Sequence, residues 1–416
     1  MHPISAILGS VALLLLGGGL LNTLITLTGN DYGFSKTMLG LIMSGYFAGF
    51  TCGTFVSGRL IQRIGHIRSF AFCAALCGSV ALLHYLWVNA WAWLVLRFVY
   101  GLAFVTLVTV IESWLNTRAQ KEDRGKVFAA YMVVNLGAIA VAQQLLRLDT
   151  EEAFTAFAIA AIFICWAVLP ITITSRSQPH IPEKASSSLR KLLKFAPLPV
   201  ASALLSGLAM GAFWSMTPLF AQEQGFSRGD IGLLMSMTIV GGALFQLPVG
   251  RYSDKHDRRK VLLTLCIAAS LLMLITTFAT GLTSLIALYF LWGGFSFALY
   301  PIAVALLIDQ LHPDEVISGT TDMLVLHGAG AALAPLLAGS LMNAFGVHAL
   351  PAYVAAVLLV LGCYAVLQIR RVSVLPAGEN AHFEPMVQTS AEVLEMISKE
   401  ESEPEHEEAR AEEAKQ

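Results

Sequence analysis

The sequence predicts an all-α integral membrane protein with twelve transmembrane helices in two parallel six-helix repeats. Three observations carry that prediction. Of 416 residues, 56% are hydrophobic and only 13% charged, against about 25% charged in an ordinary soluble domain. Twelve apolar runs are long enough to cross a bilayer, which takes about 20 residues each. An offset of 192 residues lays the first half of the chain on the second without a gap.

Composition excludes several classes. A single soluble core stops growing beyond roughly 250–300 residues, so this much apolar surface needs lipid as a second solvent. A soluble enzyme, a disulfide-stapled secreted protein and a disordered chain are ruled out. The net charge of −2 hides a split: residues 371–416 hold 12 Glu against four Lys/Arg, and the remaining body is +6. No basic stripe marks a nucleic-acid partner. All six cysteines lie inside apolar runs and read as reduced packing thiols, including Cys73 and Cys77 on one helix face. There is no H-E-x-x-H pair, no nucleotide-binding G-x-x-x-x-G-K-[ST] and no Cys/His cluster. No enzyme activity, cofactor or metal is expected.

The runs lie near 4–28, 39–60, 69–88, 92–115, 128–147, 153–174, 198–221, 231–251, 260–280, 282–308, 321–343 and 348–369. The first has no Lys or Arg before it and no small-residue cleavage site, so it reads as a span and not a signal peptide. The runs lack the two-residue alternation of membrane strands, which leaves helices as the spanning form.

Loops after runs 2, 4, 6 and 8 are rich in Lys and Arg, for example Arg59, Arg63 and Arg68 or Arg251, Lys255, Arg258 and Arg259. The opposite loops hold only Lys36, Arg147 and Arg228. The positive-inside rule then puts both termini in the cytoplasm of an inner-membrane protein. The expected organisation is a six-helix bundle over 1–174, a cytoplasmic linker over 175–197 with a surface helix, a second bundle over 198–370 and an acidic, disordered tail over 371–416. A short helix is expected at 389–399 within that tail.

The repeat is explicit. Gly33-Phe34-Ser35-Lys36 through Leu39-Gly40-Leu41-Ile42-Met43-Ser44 matches Gly225-Phe226-Ser227-Arg228 through Ile231-Gly232-Leu233-Leu234-Met235-Ser236. The same offset carries Gly49 onto Gly241, Gly58 onto Gly250 and Gly101 onto Gly293. Matching loops fall on one membrane side, so the repeats are parallel, an architecture whose substrate site lies near the midplane between the halves.

After run 2 the chain reads Gly58-Arg59-Leu60-Ile61-Gln62-Arg63-Ile64-Gly65, and after run 8 Gly250-Arg251-Tyr252-Ser253-Asp254-Lys255-His256-Asp257-Arg258-Arg259. Both resemble the G-x-L-x-D-R-x-G-R-R signature of the major facilitator superfamily, and the resemblance covers about residues 4–370. Arg97-x-x-x-Gly101 is similar to that family's helix-4 motif. With Glu112-Ser113-Trp114, Leu21-Asn22-Thr23-Leu24 and Leu299-Tyr300-Pro301-Ile302, it looks like the YcaD-type branch of bacterial carriers.

The resemblance implies a secondary transporter working by alternating access, with no ATP site and with helices 1, 4, 7 and 10 around the cavity. Helix 5 lacks the Gly-Pro pair of the proton-antiporter branches, reading Gly137-Ala138-Ile139-Ala140, and helix 1 carries no acid. Gln62 stands where the signature has Asp. We therefore expect a cytoplasmic gate of two latches with opposite polarity. Asp254 would meet Arg124 and Lys126, and Arg59, Arg63 and Arg68 would meet Asp309, Asp314, Glu315 and Asp322; Gly58, Gly250 and Arg258 complete the motif. Simple solvation of inner loops is the alternative.

Candidate site residues follow from the rarity of polar groups at spanning depth. Arg97 reads either as an anion or gating group facing a cavity or as a side chain snorkelling outward. Glu112, 15 residues on, titrates with protons or anchors the helix 4–5 loop. His327 is a proton-coupling group or a packing histidine. Asn22 is the preferred cavity residue among Asn22, Asn135, Gln143 and Gln246. Trp214, Tyr289 and Tyr300 offer aromatic faces to a ligand or pack against the core and lipid. Gly45, Gly49 and Gly53 let a neighbouring helix approach, and Pro218, Pro248, Pro301 and Pro335 are bending points. The expected cargo is a small organic solute, carried by a monomer, with proton coupling a hypothesis and export the preferred direction. The competing class is a sensor or scaffold that keeps the fold without transport.

Overall fold

The computed structural model describes residues 3–119, 123–148, 153–174, 189–312 and 315–371. Within them are twelve helical spans: span 1 Ile4–Asp31, span 2 Lys36–Ile64, span 3 His66–Leu86, span 4 Ala90–Arg118, span 5 Arg124–Arg147, span 6 Phe154–Ile173, span 7 Pro197–Glu223, span 8 Arg228–Asp254, span 9 Arg258–Thr276, span 10 Leu282–Ile308, span 11 Ser318–Phe345 and span 12 Ala349–Arg371. A short helix, Leu189–Phe195, precedes span 7 in the stretch expected to link the halves. The acidic tail beyond residue 371, with the helix expected at 389–399, lies outside the described residues. Below, the odd-loop end carries the loops after spans 1, 3, 5, 7, 9 and 11; the even-loop end carries the others.

The repeated Gly-Phe-Ser has a local physical cause. Gly33 and Gly225 both take positive φ, +78° and +83°, which only glycine adopts freely. Two residues on, Ser35 accepts from the Met38 amide and Ser227 from the Asp230 amide, capping spans 2 and 8. Ser227 and Asp230 form a full capping box.

Large apolar side chains such as Phe72, Trp91, Val133 and Phe278 are exposed on the outside of the bundle, where lipid replaces water as solvent. Inside each half, glycine sets helix spacing. A Cβ at Gly49 would run into the Phe98 carbonyl, and one at Gly101 into that of Tyr46. Their images at Gly241 and Gly293 meet the carbonyls of Phe290 and Thr238 in the same way. Spans 2 and 4, and spans 8 and 10, therefore touch backbone to backbone, as small residues permit in lipid.

Between halves, span 1 packs on span 7, span 2 on span 11 and span 5 on span 8. Gly40 abuts the Pro335 carbonyl and Gly232 that of Gln143, one contact and its image across the pseudo-two-fold. Of the expected bending points, Pro218, Pro248 and Pro335 sit inside continuous helices. At Pro301 the helix is interrupted: it stops at Ser296 and resumes at Leu299.

Candidate functional site: a cavity between the halves

A proline removes the donor for the carbonyl four residues earlier. Pro218 thus releases the Trp214 carbonyl, and Asn22 Nδ2 of the other half donates to it at 3.0 Å. Pro301 releases the Phe297 carbonyl, which accepts from Gln246 Nε2 at 3.3 Å. Asn22 is the midpoint of a chain, because its Oδ1 accepts from Arg97 Nη2 at 2.6 Å. Arg97 is 0% exposed. Its guanidinium lies 4.6 Å from the Tyr46 ring centroid and 5.5 Å from that of Tyr100.

Two spaces open beside this chain. The larger, about 930 Å³, is lined mainly by Tyr46, Phe50, Trp214, Phe297, Tyr300 and His327. The smaller, about 470 Å³, is lined by Asn22, Tyr100, Phe104 and Gln143 together with Tyr46 and Trp214, which border both. The larger is partly open to solvent, and its volume includes that opening. Its walls are aromatic with few polar groups, and three of those, Thr51 Oγ1, Ser296 Oγ and Tyr300 Oη, have no hydrogen-bond partner among the described residues.

His327 belongs to the same wall. Its Nδ1 lies 3.2 Å from the Ala203 carbonyl and 3.2 Å from Ser206 Oγ, and its ring stands 4.4 Å from that of Tyr300. A carbonyl only accepts, so Nδ1 carries the proton; in the neutral ring Nε2 is left as an acceptor. Glu112 is also buried, accepting from Tyr131 Oη at 2.7 Å, but it lines neither space.

The odd-loop end is closed over these spaces by reciprocal contacts. Arg228 binds Asp31 at 2.8 Å and Lys36 binds Glu223 at 2.8 Å. Asp31 and Glu223 are 192 residues apart, as are Lys36 and Arg228, so each bridge is the other's image. Asn30 donates to Gln222, its own repeat counterpart, at 3.2 Å.

Placement of the expected residues is mixed. Asn22, Trp214 and Tyr300 line the spaces, and Arg97 stands directly behind Asn22, Tyr46 and Tyr100 without reaching the lipid interface. Tyr289 does not line them. It is 2% exposed and packs among Phe213, Phe220 and Trp292, because the span 10 face carrying it turns into the second half's own core. Gln143 joins spans 1 and 5, accepting from Thr23 and donating to the Gly19 carbonyl.

The basic-on-acid latch is not assembled. Arg59, Gln62, Arg63 and Arg68 are exposed, and the three arginines make no ion pair among the described residues. Asp309, expected opposite them, binds Arg258 at 2.9 Å. Arg258 also binds Asp254 at 3.1 Å, and Lys126 binds Asp123 at 3.0 Å. Arg124 is half-buried, Asp322 is buried near the start of span 11, and Gly58 borders open space; Asp314 lies outside the described residues.

Sequence reasoning missed Tyr46, Phe50 and Thr51 of span 2, and Leu324 of span 11. The available signal was the aromatic set Tyr46, Phe47 and Phe50 next to the glycines that press span 2 against span 4.

The comparisons agree with this architecture. The Major Facilitator Superfamily model matches residues 7–227 and again 199–400. An uncharacterized MFS-type transporter, YcaD, of Escherichia fergusonii is 28% identical over 347 residues, covering 82% of this chain and 89% of that protein. Its Escherichia coli counterpart is 28% identical over 351 residues, covering 83% and 90%. The crystal structure of the nucleoside transporter NupG superposes with TM-score 0.75 at 15% identity, over 89% of this chain and 100% of that one. A bacterial homologue of the human lysosomal transporter Spinster, inward-facing and occupied, gives 0.72 at 13% identity, over 90% and 98%. With twelve spans in two images of one six-helix repeat, and a family model matching each half, this chain belongs to the major facilitator superfamily of secondary transporters.

Proposed function

We propose that the protein carries a small organic solute across the bacterial inner membrane by alternating access of the cavity between its halves. Residues 1–174 and 198–370 rock as two bodies, acting as a monomer, with both termini cytoplasmic. The positive-inside rule then makes the odd-loop end periplasmic. The observation that carries the reading is the reciprocal latch Asp31–Arg228 and Lys36–Glu223, which ties the two halves together at one end of the aromatic space between them. Its charges are partly solvated, so each bridge contributes about 0.2–1 kcal/mol, a strength suited to opening and closing.

His327 is the stronger proton-coupling candidate, since its ring lines the cavity, whereas Glu112 is bonded to Tyr131 away from it. Export remains the preferred direction.

The test places a cysteine at Thr26, buried between latch and cavity, in a chain whose native cysteines are replaced by alanine. Asp31→Asn with Glu223→Gln should raise periplasmic labelling about 5-fold, from a combined loss of roughly 1 kcal/mol. Unchanged labelling with both pairs removed would count against the gate. Flux into liposomes separates a carrier from a silent sensor, and a pH dependence unaltered in His327→Ala and Glu112→Gln removes the proton hypothesis.

A further inference from the structure

Arg97 is a fully buried cation. It makes no ion pair among the described residues, and its Nε and Nη1 have no hydrogen-bond partner. Its contacts are Asn22 Oδ1 at 2.6 Å, Met43 Sδ at 3.8 Å and the faces of Tyr46 and Tyr100, all neutral. The acid on its own helix, Glu112, is 15 residues away, roughly 22 Å along the axis. A charge at this depth is strongly unfavourable unless it meets a partner or a cavity, and two aromatic faces compensate only part of it. Three of the four residues that surround the guanidinium, Asn22, Tyr46 and Tyr100, are walls of the smaller space.

We infer that the solute is an organic anion, a carboxylate on an aromatic or apolar body, and that its carboxylate serves as the counter-ion of Arg97. The inference rests on the carrier reading above and assigns its substrate class. The carboxylate enters beside Asn22 and engages the guanidinium that now leans on Oδ1, a planar donor pair matched to two carboxylate oxygens. The body passes between Tyr46 and Trp214 into the larger aromatic space. There Thr51 Oγ1, Ser296 Oγ and Tyr300 Oη stand unpaired for polar substituents on its far end. Asn22 also donates to Trp214 across the halves, so a carboxylate that displaces Asn22 from Arg97 acts on the contact that joins spans 1 and 7.

The experiment is a thermal-shift titration of the purified full chain. The probes are benzoate, 3-phenylpropionate, indole-3-acetate and succinate, each beside its amide, with chloride as an inorganic control. At least one carboxylate should stabilise the protein and bind at least tenfold more tightly than its amide. Arg97→Gln should abolish that preference and Arg97→Lys keep part of it. Asn22→Asp is the decisive variant, because it keeps the side-chain shape and installs a fixed carboxylate at the position that now accepts from Arg97. It also removes the amide donor to the Trp214 carbonyl, so the melting temperature of the unliganded variant is not the readout; carboxylate binding should weaken at least tenfold. A structural role for Arg97 alone would leave the carboxylate-to-amide ratio unmoved.

The inference falls if no carboxylate exceeds its amide, if chloride alone stabilises, or if the ratio survives Asn22→Asp. Binding of amides alone overturns the anion while leaving the carrier intact. The latch-labelling measurement judges the carrier without reference to charge on the solute.

Discussion

At the odd-loop end, Asp31 and Lys36 have counterparts Glu223 and Arg228 in the second half, and each acid binds the other half's base. At the even-loop end, Arg258 is held between Asp254 and Asp309, all in the second half. The same offset places Gln62, His66 and Thr117 in the first half at those three positions. There His66 lies 3.2 Å from Ser113 Oγ, a neutral contact. A bridge across the pseudo-axis is made twice whenever both halves carry its charges. A clamp within one half has no such image, so the other half can lack it if every member is neutral. A single member left charged and buried would be costly. The second half thus has a charged version of this corner and the first half a version built from Gln62, His66 and Thr117, in which Gln62 is exposed.

The largest expected effect separates those two versions. Arg258→Ala removes a buried cation bound to both Asp254 and Asp309 and should destabilise the protein by about 3 kcal/mol. His66→Ala, at the equivalent neutral place, should cost about 1 kcal/mol. Denaturant unfolding of the detergent-solubilised protein measures both, and equal losses would break the comparison.

The next effect concerns where a glycine sits. Gly49→Ala forces spans 2 and 4 apart inside one half and should lower stability by about 1–3 kcal/mol. Gly40→Ala and Gly232→Ala introduce the same clash against Pro335 and Gln143 of the opposite half. It is felt only when the odd-loop end is closed, so labelling of a cysteine at Thr26 should rise while the melting temperature stays near that of the parent. A melting temperature that falls as far as in Gly49→Ala would show that the halves do not separate there.

The smallest effect is titration of Asp257 at the start of span 9. Partial burial opposes its ionisation, but Arg259, bound at 3.0 Å, and Lys260 outweigh that and hold the carboxyl below its ordinary value. A depressed folded pKa contributes stability that is present above the unfolded value and lost as pH falls through the folded one. Asp257→Asn should therefore flatten the acid limb of the stability curve below about pH 4 and leave the neutral region unchanged. An altered slope between pH 6 and 8 would contradict it.

Much of the site was legible from single residues. Asn22 and Trp214 stood out because polar and indole groups are rare at that depth, and Arg97 because a charge there demands an explanation. The partnership of Asn22 with Trp214 was not legible, since it depends on a carbonyl released by Pro218 and on two helices 192 residues apart meeting at the axis. Tyr289 and Tyr46 are chemically alike, yet one is core and the other cavity wall. The spans are apolar on nearly every side, so no stripe indicates which face looks inward.

Sequence alone determined the number of spans, the parallel repeat, the Gly-Phe-Ser turns and the glycines at helix crossings. These follow from local rules: length against bilayer thickness, φ at a turn, a hydroxyl at a cap, the absence of a Cβ. Tertiary structure alone decided which charges pair, which end is closed and where space remains between the halves. Those depend on distances of a few ångströms between helices remote in the chain, and an ion pair or a cavity exists only once packing has set such distances.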